Sequence, residues 1–133
     1  MKKLLTITAI ALLAASPVQS APKSTLTVDG FQKYIGFLAQ MKCGQENLGH
    51  TYTYMKRKLD LFLGMYEPAD QVKLLKIKSN PTAQGAVRFF AAAMNSSCTA
   101  IDQSKTNGYV NYWDAGMRAL NAVTEDFKRN GEL

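Results

Sequence analysis

The chain has 133 residues, 16 of them Lys or Arg and 10 Asp or Glu, so its formal net charge is +6. This length supports one domain with a modest hydrophobic core. The mild positive charge suits an anionic protein or polymer, but it falls well short of the concentrated basic surface that marks a nucleic-acid-binding protein.

Residues 1–20 have the pattern of a cleaved secretory signal peptide. Lys2 and Lys3 precede an apolar run, and small residues follow before Ala21, where we expect cleavage. The apolar run is shorter than the roughly 20 residues that cross a bilayer. We therefore expect a periplasmic or secreted protein with no membrane span and one helical domain at 21–133. That domain has 14 basic and 10 acidic residues.

The chain contains two cysteines, Cys43 and Cys98. Export to an oxidising compartment predicts a disulfide between them. Because the enclosed loop is long, the bond would stabilise the fold by about 4 kcal/mol in the chain-entropy model. The pair lacks the C-x-x-C spacing of redox-active thiols, which favours a structural role.

The first predicted helix begins near Asp29, an expected N-cap with Gln32 in the capping-box position. Gly44 is the expected C′ residue that ends it and places Cys43 at the helix end. Its apolar stripe comprises Phe31, Tyr34, Ile35, Leu38 and Met41.

A second and a third helix are predicted between Tyr52 and Lys78. The second has an a/d stripe and extra apolar residues at Leu61, Leu63 and Met65. The third, at 69–78, is expected to turn Val72 and Leu75 inward, with Leu74 as a further candidate, and its lysines outward. The stripe of the second helix comprises Tyr52, Met55, Leu59, Phe62 and Tyr66.

Asn80-Pro81 predicts the start of a fourth helix, with an N-cap followed by proline at N1. Asn107-Gly108 ends a polar connection to the last helix, after which Gly131 follows. The fourth helix is expected to bury Ala83, Val87, Phe90, Met94 and Cys98, and the last one Val110, Trp113, Met117, Leu120 and Phe127, with Val123 or Thr124 between the last two. The chain therefore predicts an all-α bundle of four or five helices, stapled by one disulfide from the first helix to the fourth.

The residues that enzymes use are sparse. His50 is the only histidine and lies in a polar loop, whereas serine and cysteine nucleophile systems need an imidazole base. We find no zinc-ligand spacing, phosphate loop, haem motif or calcium loop. We therefore expect no catalytic residue, no metal and no cofactor.

Two features favour protein binding. Basic side chains on the second and third helices could steer an acidic partner, and the aromatic and leucine residues around them could line a groove for an amphipathic helix. The same residues could also form a solvated face and ordinary core. The candidate partner-binding residues are Tyr52, Tyr54, Arg57, Leu61, Leu63, Lys73 and Lys76.

Phe37-Leu38 followed by Cys43-Gly44, Asn47-Leu48, a second helix and Cys98 resembles the secretin pilotins of the PulS/OutS type and their non-lipidated periplasmic relatives. The resemblance covers about half of the mature chain. It implies a small helical protein whose groove holds a helix of an outer-membrane secretin. The chain differs in lacking a lipid-attachment cysteine and in its final helix at 109–127.

These observations favour a non-enzymatic periplasmic accessory protein that binds a protein or peptide helix of an envelope assembly or secretion system. An alternative is a periplasmic immunity or inhibitor protein that blocks a toxin or wall hydrolase with a loop, such as Asn47–Thr51 or Gln103–Gly108. A third hypothesis is an acid-stress chaperone. An acid-stress chaperone must change conformation over a narrow pH range, which requires many groups that gain protons together. The chain has only ten acidic residues and one histidine, so this hypothesis is the least favoured of the three.

Overall fold

A computed structural model describes residues 25–106 and 111–133. These residues form five α-helices and one short 3-10 turn at Gln103–Lys105, which confirms the predicted all-α bundle. The expected signal peptide and the Asn107-Gly108 turn lie outside them. The helices are α1 (Val28–Asn47), α2 (Tyr52–Leu63), α3 (Pro68–Ser79), α4 (Pro81–Ala93) and α5 (Tyr112–Arg129).

Both predicted ends of α1 are wrong. The N-cap is Thr27, whose hydroxyl accepts a hydrogen bond from the Gly30 amide at 3.1 Å, because threonine satisfies a free helix amide as aspartate does. At the other end, α1 continues through Gly44 to Asn47. Gly44 is buried, and a Cβ there would overlap the His50 ring, so this glycine permits a close approach and does not end the helix.

The inward face predicted for α3 is correct at Leu74 but wrong at Val72 and Leu75. Leu74 and Ile77 are fully buried, whereas Val72 and Leu75 are 57% and 48% exposed. Apolar residues occupy more than one face of this helix, so periodicity alone cannot select the buried one. Packing against the neighbouring α4 selects it instead.

The start of α4 is confirmed, since the Asn80 side chain accepts from the Ala83 amide at 3.0 Å and Pro81 is at N1. The helix ends at Ala93, however, so the predicted helical stripe does not continue to Cys98. Cys98 is buried in a turn with φ +59°. The predicted disulfide is confirmed, with 5.8 Å between the Cα atoms of Cys43 and Cys98.

Helix α5 packs on α4 through a close contact. Gly116 faces the Phe90 ring, which would lie 2.8 Å from an added Cβ. Leu120 and Phe127 are buried as predicted, whereas Trp113 is 39% exposed and covers the edge of Phe90. Helix α4 thus lies close to both α1 and α5 and forms the centre of the bundle.

Helix α2 stands further from the bundle, with few close backbone approaches to other helices. The Phe62 ring of α2 lies between the two helices, with its centroid 4.7 Å from that of Phe37 and 5.4 Å from that of Tyr34 on α1. Because large rings separate α2 from α1, space remains between these helices and α3 and α4. None of the described helices combines the length and apolar character needed to cross a membrane.

Candidate partner-binding groove

This space is a groove of about 890 Å³ lined by α1, α2, α3 and α4, here called the central groove. Its walls are mainly apolar, and two methionines add flexible, polarizable surface. The apolar lining residues are Leu38, Met41, Met55, Leu59, Leu63, Leu75, Ile77 and Val87.

The central groove has a buried floor and an exposed rim. Leu59, Leu63 and Ile77 are buried and join it to the core, whereas Tyr52 and Leu75 are 73% and 48% exposed. Exposed apolar side chains in one concave surface are typical of binding sites, in contrast to isolated apolar residues on a convex surface. A partner can therefore reach the apolar lining from solvent.

Four cations lie in the lining, with Asp60 as the one carboxylate among the described lining residues. Lys42 pairs with Glu46 at 3.0 Å and Lys56 with Asp60 at 2.9 Å. The hydrogen bond to Asp60 and the charge of that carboxylate raise the pKa of Lys56. Lys78 and Arg88 form no ion pair within the described part of the chain, so the positive charge of the lining is uncompensated on the α3–α4 side.

The structure separates the candidate residues on α2. Tyr52 and Leu63 line the central groove. Arg57 and Leu61 lie on the outer face of α2, beside a shallower depression of about 400 Å³ that Tyr52 also borders. Tyr54 faces His50, with 4.4 Å between the ring centroids, and the Lys58 ammonium lies 5.4 Å from the Tyr54 ring.

Lys73 and Lys76 do not line the groove. Lys73 lies 3.7 Å from Asp70, and Lys76 donates to Glu132 at 2.7 Å, which connects α3 to the end of the chain. Both charges are therefore compensated within the protein. The candidate set did not include Met41, Lys42, Val87 or Arg88, because the sequence does not show which faces of α1 and α4 border α2.

The side chains of the lining are mostly apolar, cationic or amide groups. Among the described lining residues there is no serine, threonine, cysteine or histidine, and Asp60 is bound by Lys56. His50 lies elsewhere, against Gly44 and Tyr54. Within 25–106 and 111–133, no group of three or more histidine, cysteine or acidic side chains is placed to hold a metal ion.

Comparisons of the chain with protein-family models, with curated proteins and with solved structures give no match. The resemblance to secretin pilotins stays a hypothesis.

Proposed function

We propose that the protein is a non-enzymatic periplasmic accessory protein whose central groove binds a helix of an envelope assembly or secretion component. The groove itself is the observation that carries this proposal. It combines about 890 Å³ of open space with a mainly apolar lining. The signal-like N-terminus and the disulfide support the periplasm as its compartment.

An amphipathic helix matches this surface. Such a helix carries apolar side chains on one face at i, i+3, i+4 and i+7, and a groove between helices can cover that face while its polar side stays in water. Met41 and Met55 can adjust to side chains of different shape. Burying one large aliphatic side chain contributes about 1.5–3 kcal/mol, so several such residues together offset the entropy that is lost on association.

A pull-down with matched variants tests the proposal. The mature, oxidised protein is incubated with periplasmic and outer-membrane extract of the bacterium that produces it, and captured proteins are quantified by mass spectrometry. Leu75→Ser changes the groove rim, whereas Val72→Ser changes an exposed apolar residue of the same helix outside the groove. We expect wild type and Val72→Ser to capture the same envelope protein in similar amounts. Leu75→Ser should capture about tenfold less of it.

Two results would contradict the proposal. One is that no captured protein distinguishes Leu75→Ser from Val72→Ser. The other is turnover of a small substrate by the purified protein.

Inhibition of a toxin or wall hydrolase is the second candidate function, favoured by the loop between α1 and α2. Leu48 is 45% exposed, and the loop around it is held firmly. The Leu48 and His50 amides both donate to the Gly44 carbonyl, at 2.9 and 3.2 Å, and Thr51 caps α2. A rigid loop with an exposed apolar residue binds at low entropic cost. Capture lost in Leu48→Asp and retained in Leu75→Ser would favour this function.

A further inference from the structure

The α3–α4 side of the central groove carries a continuous polar edge, here called the basic edge, formed by Lys78, Gln84 and Arg88. The Gln84 side chain donates to the Lys78 carbonyl at 2.7 Å, which joins the end of α3 to α4. Gln84 and Arg88 are four residues apart and therefore lie on the same face of α4. The two cations thus follow one another along one side of the groove.

The opposite side differs in charge. There Lys56 is paired with Asp60, and Lys42 on α1 is paired with Glu46. Each of these lysines lies within 3.0 Å of a carboxylate that compensates its charge. Lys78 and Arg88 have no such partner among the described residues. A ligand in the groove therefore meets positive charge on one side and compensated charge on the other.

From this asymmetry we infer that the groove selects an amphipathic helix with acidic side chains along one edge of its apolar face. The inference rests on the proposed helix-binding function and specifies its partner. Carboxylates spaced three or four residues apart on the bound helix would face Lys78 and Arg88 while the apolar stripe fills the groove. The acidic edge also determines which way round the helix lies, because only one side of the groove is basic.

The lining argues against nucleic acid as the occupant. Nucleic-acid binding depends on many phosphate contacts, whereas this surface is mainly apolar and has two uncompensated cations. An acyl chain with one carboxylate would use the apolar lining but needs only one of those cations. A helix with an acidic edge accounts for both the lining and the length of the basic edge.

Two synthetic peptides provide the probe. Both have about 18 residues, enough for several helical turns, and share one leucine stripe. One carries glutamate along an edge of that stripe and the other carries glutamine. We expect the glutamate peptide to bind the mature, oxidised protein roughly fivefold to tenfold more tightly at low salt. The preference should shrink at about 0.5 M salt, where charges are screened.

Matched variants assign the preference to the basic edge. The double substitution Lys78→Gln/Arg88→Gln should abolish it. Arg57→Gln/Lys58→Gln removes the same net charge from residues outside the central groove and should leave it intact. Because all four side chains are exposed at the surface, all variants are expected to fold, which circular dichroism checks.

The possible results separate this inference from the function on which it rests. If both peptides bind equally and Leu75→Ser weakens both, the acidic preference is overturned and helix binding stands. A preference that persists in Lys78→Gln/Arg88→Gln overturns the role of the basic edge. A third result is that neither peptide binds, whereas the fatty acid oleate binds to wild type and not to Leu75→Ser. Both proposals then fail, and the groove binds an acyl ligand instead of a helix.

Discussion

The buried hydroxyl of Tyr34 finds no hydrogen-bond partner among the described residues. The side chain is fully buried, and burial raises the pKa of Tyr34 to about 12. An unsatisfied buried hydroxyl costs about 1–3 kcal/mol. We expect Tyr34→Phe to raise the free energy of unfolding by about 1 kcal/mol, measured by urea denaturation at neutral pH. A decrease of that size would show that the hydroxyl is satisfied.

The raised pKa of Tyr34 also predicts a loss of stability at alkaline pH. In the unfolded chain tyrosine titrates with its ordinary pKa of 10.0, whereas in the folded protein the value is about 12. As pH rises through this window the unfolded state loses its proton first, so stability falls, by at most about 1.4 kcal/mol per pH unit. Wild type should therefore lose stability between pH 10 and 12 more steeply than Tyr34→Phe. If the unfolding free energies of the two proteins fall in parallel over this pH range, the Tyr34 hydroxyl does not have a raised pKa.

The close contact between Gly44 and His50 can be tested by single substitutions. Gly44→Ala should gain about 1 kcal/mol of helix propensity, but the new methyl overlaps the His50 ring, and we expect a net loss of about 1–2 kcal/mol. In a His50→Ala background the clash is absent, so the same substitution should be neutral or stabilising. A double-mutant cycle of unfolding free energies measures this coupling. Additive effects would contradict the close contact.

At the scale of elements, the disulfide connects α1, about one turn before its end, to the turn that follows α4. The residues it joins are 55 apart in sequence, a loop whose closure stabilises the fold by about 4 kcal/mol in the chain-entropy model. The double substitution Cys43→Ala/Cys98→Ala should lower the unfolding free energy by about this amount, measured by urea denaturation. A loss below about 1 kcal/mol would show that helix packing alone holds these elements together.

Helix number and type could be predicted from the sequence, because apolar stripes, N-cap residues and prolines are local signals. Asn80-Pro81 predicted the start of α4 correctly, and Gly131 lies just after α5 as expected. Helix ends and faces were less predictable. Helix α1 continues through Gly44, whose missing side chain leaves room for the His50 ring. Leu75 of α3 faces the groove, since Leu74 and Ile77 are the residues of this helix that pack into the core. Each of these outcomes depends on a contact with another part of the chain.

At the scale of the whole molecule, the candidate site could be predicted only in part. The sequence indicates Leu63 because α2 has more apolar residues than one buried stripe requires, and Tyr52 because it belongs to a group of aromatic residues on that helix; both line the groove. Lys73 and Lys76 instead pair with Asp70 and Glu132. The groove forms because aromatic spacers hold α2 away from the bundle, and no local pattern records the resulting distance between helices.

Site-specific photo-crosslinking tests the central claim that this groove holds a partner helix. A photoreactive residue replaces Leu75 on the groove rim, and in a matched protein it replaces Val72, which is similarly exposed on the same helix but outside the groove. After irradiation in living cells that produce the protein, we expect a crosslink from position 75 to an apolar helical segment of one envelope protein, and none from position 72. Equal crosslinking at both positions, or none at 75, would contradict it.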